Sequence, residues 1–570
     1  MPFIAFGAHK FGFYGIIALH VFSMVWGIVK IYKQKINILS FFEPGIVCFL
    51  CFVPIVYFIT RNSAPMLWDE LRLWAAVPKH LFFSGASHIG VDSFIYTDMQ
   101  NYPFAMPAFQ LLLMHMQGFW SENILFFAYA ILAGSLFVRF IPNTKASYFA
   151  IPLVLALMVL LPQSYANSYE LDNNFYYTSL FIDFFIGFLL AYAFLMLCKN
   201  PFKDYSETIL FAIVLSILAL SKESGIFLVV LLLLCTFGLY AFKLIRAKNY
   251  ISLLLVLLPF ACYFLFQYAI QVAGVKESSD ITLPNILTAI QQPTEEQLEL
   301  IVDYFKSFTY SSMVLQSNAV QWWNLPEFFS PLFAFIFQLL LNLIAIFVTA
   351  KEYRKKAIVV SCQLAVFVLL YFVSLLPVYL FKIGYEEYQF ASQQRYLSTA
   401  YFAQLFFAVY LLLQGVLHKI TWPKFGVLLA VFASIALLFP MGEIKRSMYD
   451  YELKEGKNHA HTIAREMPGN TKLFLIMNNS SGEDILIHHQ MYYALLEHNI
   501  NLDNTMTTID WITEIDVNGL AQRLTEFDYC YLYADYEDVF KEQYSSLFAT
   551  EIEFPKLYKV EKENGSVVLR

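Results

Sequence analysis

The chain has 570 residues, of which 59% are hydrophobic, 18% aromatic and 14% charged, with a mean hydropathy of +0.56. Soluble globular proteins carry roughly 45–50% apolar and about 25% charged residues, so this composition excludes a water-soluble enzyme. The 37 basic and 44 acidic side chains give a net charge of −7, the wrong sign for a nucleic-acid partner. The charge is unevenly placed. From Met441 to Arg570 there are 22 acids and 12 bases, a balance of −10, which leaves +3 for residues 1–440. An all-α polytopic membrane domain is therefore expected over 1–440, joined to an acidic, soluble domain over 441–570.

Apolar runs near the 20-residue length that crosses about 30 Å of hydrocarbon occur at 11–29, 43–60, 122–140, 147–163, 177–197, 207–220, 225–244, 250–271, 330–350, 357–381, 399–417 and 425–440, which predicts about twelve spanning helices. Lys and Arg alternate between their connections. The basic loops are Lys30–Lys35, Arg139–Lys145, Lys199–Lys203, Lys243–Lys248, Lys351–Lys356 and Lys419–Lys424. By the positive-inside rule these six are cytoplasmic, and the segments at 61–121, 164–176, 221–224, 272–329 and 382–398 face outward with the tail.

Two shorter stretches in the first outer loop, Leu67–Phe83 and Pro103–Gln117, are predicted as juxtamembrane helices. In the first, Leu67, Leu71, Trp74, Ala75 and Val77 oppose a polar face of Asp69, Arg72 and Lys79. In the tail, Lys472–Met477 and Tyr529–Ala534 read as buried strands, and Asp484–His498 and Val517–Phe527 as helices. This is the pattern of a small α/β domain. One cysteine in it, Cys530, leaves no internal disulfide, which favours a bacterial plasma membrane. The first apolar run lacks the basic leader and cleavage site of a signal peptide.

Chemistry is expected first at Trp68-Asp69-Glu70, two acids among large apolar residues. Such surroundings exclude water and suit a carboxylate to act as a base. Its pattern resembles the first outer loop of the GT-C superfamily of glycosyltransferases, which includes aminoarabinose and protein O-mannosyl transferases. The resemblance rests on the acid pair after an early apolar helix and on the aromatic segment Tyr96–Pro107 that follows it. It extends to Tyr169-Glu170-Leu171-Asp172, Ser221-Lys222-Glu223-Ser224-Gly225 and Gln394-Arg395-Tyr396-Leu397, about 400 residues in all. Two departures stand out: a helix at 11–29 precedes the one leading into the acidic loop, and the segment around Pro103 lacks paired prolines.

The resemblance implies inverting transfer of a sugar from a polyprenyl-phosphate donor to a cell-surface glycan, teichoic acid or lipid-linked acceptor at the outer face. Asp69 is the implied base, and Glu70 its orienter or a metal ligand. Arg395 and Lys222 are the implied contacts to the donor phosphate, with Glu170, Asp172 and Arg72 in support. A divalent cation, Mg or Mn, would draw on Glu70 and Asp172.

The residues themselves leave alternatives open. Arg395 and Lys222 can be interfacial snorkels, and Arg72 and Lys79 can pair with Asp69 or Glu70. His80 and His88 read as polar surface residues, the adjacent His488 and His489 as pointing to different helix faces, and Trp322-Trp323 as an interfacial anchor. Asp183, placed within the fifth helix, lies either beneath the site or against a neighbouring helix. A transporter or flippase of lipid-linked sugars, and a non-catalytic partner subunit, are the rival readings. Polar groups gathered in outer loops rather than at the midplane favour the enzyme.

Overall fold

A computed structural model describes residues 42–65, 68–90, 93–160, 182–246, 249–275, 283–310, 330–349, 351–383, 393–418, 451–477, 482–503, 515–533, 538–563 and 566–570, with Leu180, Thr507, Thr508 and scattered positions between 14 and 33. The described chain is mostly helical with one small sheet. Among the described residues five helices are long and apolar enough to cross a membrane: Glu122–Phe140, Tyr250–Val272, Pro331–Val348, Tyr353–Phe381 and Arg395–Leu417. Pro44–Thr60, Tyr205–Ala219 and Gly225–Thr236 are shorter apolar helices. The run at 147–163 is broken at Ala150, with helices at Lys145–Phe149 and Ile151–Leu160 on either side. The run at 425–440 lies outside the described residues.

The bundle is organised around Arg395–Leu417, which is 94% buried inside the protein. Its principal neighbour is the helix Asp183–Lys199, whose side chains from Asp183 to Cys198 are all buried. Aromatic rings knit the two together: Phe188 stacks on Phe406 at 3.8 Å, and Phe184 meets Phe402 edge-on at 4.5 Å. Gly187 permits this approach. A Cβ there would lie 2.8 Å from the Thr399 carbonyl oxygen and 2.8 Å from Phe402 Cβ. On the other side, Asn342 donates to the Gln404 carbonyl at 3.3 Å and Thr349 to the Leu411 carbonyl at 2.9 Å. Polar side chains of this kind join helices where lipid offers no hydrophobic drive.

The segment expected as the first outer loop differs in its local structure. Leu67–Phe83 is not one amphipathic helix: a π-helical turn, Glu70–Trp74, is followed by the helix Ala76–Ser84. The Ala75 N–H donates to the Glu70 carbonyl at 2.9 Å, the i→i+5 bond that defines the wider turn. Ala105–Gln117 is helical as expected.

In the tail the strands β1 (Lys472–Met477), β2 (Asn501–Leu502), β3 (Thr507–Thr508), β4 (Tyr529–Leu532), β5 (Lys556–Glu563) and β6 (Ser566–Leu569) form a sheet in the order β2-β1-β4-β5-β6, with β3 also on β1. β1 runs parallel to β2, β3 and β4, and β5 antiparallel to β4 and β6. Alternation sends Phe474 and Ile476 into a core with Leu520, Leu524 and Leu532. Leu473, Leu475 and Met477 point the other way, into the apolar core shared with the helix Gly482–Leu495 and the membrane bundle.

The tail sits directly on the segment 68–104. The Tyr96 hydroxyl and His488 Nδ1 share a hydrogen bond of 3.2 Å, Trp68 meets His489 edge-on at 5.3 Å, and the Tyr492 hydroxyl donates to the Phe94 carbonyl at 3.1 Å. Lys79, only 3% exposed, pairs with Glu497 at 3.3 Å and lies 4.1 Å from the centre of the Tyr493 ring. A buried ammonium is tolerated only with such partners. Lys79, expected on the polar face, is therefore covered by the tail. His80 and His88, expected at the surface, are buried, as are both His488 and His489.

Two outcomes are expected. Gly187→Leu should destabilise the bundle by about 1–3 kcal/mol through overpacking, read as a lowered thermal midpoint in detergent; an unchanged midpoint would mean that the helices separate freely there. Burial pushes His80 and His488 down to about 4, and His88 and His489 down to about 3. The unfolded chain, whose histidines titrate near 6.5, then binds more protons, so stability is full above that pH and falls on acidification toward 4. Each histidine contributes a slope of about 1.4 kcal/mol per pH unit. Hydrogen exchange in Gly482–Leu495 should accelerate across this window; constant protection would show that the histidines are solvated.

Candidate active site

Four side chains far apart in sequence converge at one end of the bundle. Each is delivered by a helix end or a tight turn. Asp69 immediately precedes the π-turn, whose wider winding buries Glu70, Leu71, Leu73 and Trp74 and leaves the Asp69 side chain 43% exposed. Asp183 is the first residue of its helix, where a carboxylate complements the positive helix terminus. It stands at the end of its helix and not within it, because the helix starts at Asp183 rather than at 177.

Lys222 lies in the turn between Tyr205–Ala219 and Gly225–Arg246, closed by the Gly225 N–H donating to the Lys222 carbonyl at 2.8 Å. Only glycine fits at Gly225, since a Cβ would fall 2.1 Å from the Leu218 carbonyl oxygen. Arg395 is in the first turn of Gln393–His418. A cation there opposes the helix dipole and is held by carboxylates.

Asp183 joins the two cations. Lys222 Nζ is 2.9 Å from Asp183 Oδ1, and Arg395 Nε is 3.6 Å from Asp183 Oδ2. Arg395 Nη1 reaches Asp69 Oδ2 at 3.3 Å. The Arg395 and Asp183 side chains are 12% and 7% exposed, so this network is far better shielded from water than a surface ion pair. The Tyr396 ring lies beneath both cations, 4.6 Å from Lys222 Nζ and 5.3 Å from Arg395 Cζ. Tyr102, edge-on to Trp74 at 6.1 Å, borders the same group. Burial, and the neighbouring Glu223, Tyr396 and Asp69, hold its hydroxyl well above the usual phenol range, so it is a hydrogen-bond donor.

The remaining candidates fall elsewhere. Glu70, 1% exposed, turns inward, and its Oε1 accepts the Leu180 N–H at 2.6 Å, three residues before Asp183. Arg72 pairs with neither Asp69 nor Glu70: it bonds Asp98 at 3.0 Å and lies 4.7 Å from the centre of the Tyr96 ring. Lys79 likewise serves the contact with the tail. Glu170, Asp172, Trp322 and Trp323 lie outside the described residues. Among the described residues no group of three or more His, Cys, Asp or Glu side chains is placed to hold a metal ion. Tyr102 and Tyr396 were missed as site residues although both sit inside quoted motifs; an aromatic neighbour of Arg395 was the available signal.

Neither a family model nor a curated protein matches the sequence. Among solved structures, the chain is similar to ArnT from Cupriavidus metallidurans in the apo state, with 13% identity and a TM-score of 0.39, over 92% of this chain and 97% of that one. It is similar to the Archaeoglobus fulgidus oligosaccharyltransferase in complex with zinc and sulfate, with 11% identity and a TM-score of 0.42, over 85% of this chain and 68% of that one. The same oligosaccharyltransferase tethered to an acceptor peptide containing the NVT sequon is 12% identical with a TM-score of 0.41, over 79% and 63% of the two chains.

Proposed function

We propose that this protein is a membrane glycosyltransferase that moves a sugar from a polyprenyl-phosphate donor to a hydroxyl of a cell-surface glycan, teichoic acid or lipid-linked acceptor. The observation that carries the reading is the convergence of Asp69, Asp183, Lys222 and Arg395 at one end of an apolar bundle. In this reading the end faces the extracytoplasmic side of a bacterial plasma membrane, as the six basic loops imply, and residues 441–570 form an outer domain beside it.

The chemistry follows from the charges. The donor phosphate takes the planar fork of Arg395 and the ammonium of Lys222, with Asp183 as their fixed counter-charge. Phosphate then competes with Asp69 for Arg395 and releases the exposed carboxylate toward the acceptor. The acceptor oxygen bonds to the anomeric carbon as its proton passes to Asp69. The bond from that carbon to the phosphate oxygen breaks, and its electron pair leaves with the polyprenyl phosphate. A single displacement of this kind inverts the anomeric centre. Glu70, through Leu180, sets the approach of the Asp183 helix.

Asp69→Asn should insert and fold normally yet lose about 10²–10⁴-fold in transfer, the range for a general base. Little loss of donor or acceptor binding should accompany it. The assay uses purified polyprenyl-phosphate sugar and acceptor, with and without chelator, which also reads dependence on Mg or Mn. Full turnover by Asp69→Asn would remove Asp69 as the base.

Arg395→Lys keeps the charge but loses the fork and should raise the KM for donor more than it lowers kcat. Normal donor kinetics in that variant would make Arg395 an interfacial anchor.

A further inference from the structure

A second polar concavity lies in the tail, away from the Asp69 centre. It is a cavity of about 480 Å³ between the helix Tyr451–Glu466 and the strands β4 and β5. That is the size of an ordinary small-molecule site. Asn458, Thr462 and Glu466, four residues apart, place an amide, a hydroxyl and a carboxylate along one face of the helix. The opposite wall carries Tyr531 from β4 and the Glu553–Lys556 pair, whose charges are 3.0 Å apart. His459 and the Tyr531 hydroxyl share a hydrogen bond at the base. The lining therefore offers both acceptors and donors, with the buried Tyr531 beneath them.

Charge narrows the ligand class. Two carboxylates, Glu466 and Glu553, face one ammonium, Lys556, so a phosphate-bearing or carboxylated polymer is repelled. A hydroxyl-rich neutral saccharide, or one bearing amino groups, donates to the carboxylates and accepts from Asn458 and Lys556.

Position adds a second argument. Lys457, next to Asn458, pairs at 3.4 Å with Glu122, the first residue of the span Glu122–Phe140. The groove thus sits close to the membrane boundary. Its helix packs on Gly482–Leu495, whose His489 touches Trp68 beside Asp69. Two packed helix layers put the groove on the order of 20 Å from Asp69, the reach of a chain of several sugars.

We propose that the groove lined by Asn458, Thr462, Glu466, Tyr531, Glu553 and Lys556 is a remote subsite for a neutral or amino-sugar stretch of the acceptor glycan. The proposal rests on the glycosyltransferase reading and selects among its acceptors, favouring an uncharged or amino-bearing glycan over a polyanionic one.

The test uses full-length protein in detergent and needs no donor. Binding of a linear glucosamine hexamer and of its fully N-acetylated form is measured calorimetrically, with poly(glycerol phosphate) as the anionic probe. Saturable binding of at least one hexamer is expected, with none of the anionic polymer. Asn458→Ala combined with Glu466→Ala, both at exposed positions, should weaken it at least tenfold at an unchanged thermal midpoint. Thr462→Trp, which fills the groove, should abolish it.

Failure of both hexamers to bind, equal binding by the variants, or preference for poly(glycerol phosphate) would overturn the subsite. Asp69→Asn should bind the hexamer as the parent does. Hexamer binding together with full turnover by Asp69→Asn would sink the base assignment and leave the groove standing; loss of turnover without hexamer binding would do the reverse.

Discussion

The carboxylate of Asp183, set between Lys222 and Arg395, is the interaction on which the site depends. Two cations on different segments repel each other and would spread apart in a medium of low dielectric. One shared anion reverses that sign. The same contact fixes the register of the two most buried helices, because Asp183 and Arg395 each lie in the first turn of one of them. Gly187 then lets the backbones close beneath the ion pair, and Phe184 and Phe188 lock the closure against Phe402 and Phe406. Electrostatics at the mouth and aromatic packing below it specify the same geometry.

A functional centre in such a place must be rigid and yet able to change partners. The buried Asp183 supplies the rigidity. The half-exposed Asp69, whose ion pair among the described residues is with Arg395 at 3.3 Å, would supply the exchangeable contact in the proposed reaction. The π-turn creates this division within two residues: Glu70 is wound inward to the backbone of Leu180 while Asp69 stays at the rim. Adjacent carboxylates thus receive different environments.

Much of this was legible in the sequence. KLFLIM and YCYL, apolar on both faces, announced β1 and β4 because both sides of the sheet are covered. The charged alternation of KLYKVEKE hid β5, and the polar YELKEGKNHAHTIARE hid its helix. Asp69, Lys222 and Arg395 were found from their motifs, but their meeting through Asp183 was not, since apolar runs mark the presence of a helix and not its first residue. Lys79, His80 and His88 were misjudged for another reason. Residue type predicts exposure only when nothing distant covers the segment, and here the tail, some 400 positions later, does so.

The shielding of Arg395–Leu417 bears on how the chain reaches its final arrangement. Among the described spans it is the last in sequence and also the one most enclosed by protein. It must therefore enter a slot between helices made before it, so the bundle cannot close until this late span has been made. Until it arrives, Asp183 faces that open slot with Lys222 as its available counter-ion, and the neutral pair tolerates lipid far better than either charge alone. Arg395 then arrives as the late charge, pulled to the mouth by a carboxylate already in place. Pairing chemistry that serves the finished molecule also sets the sequence of its assembly.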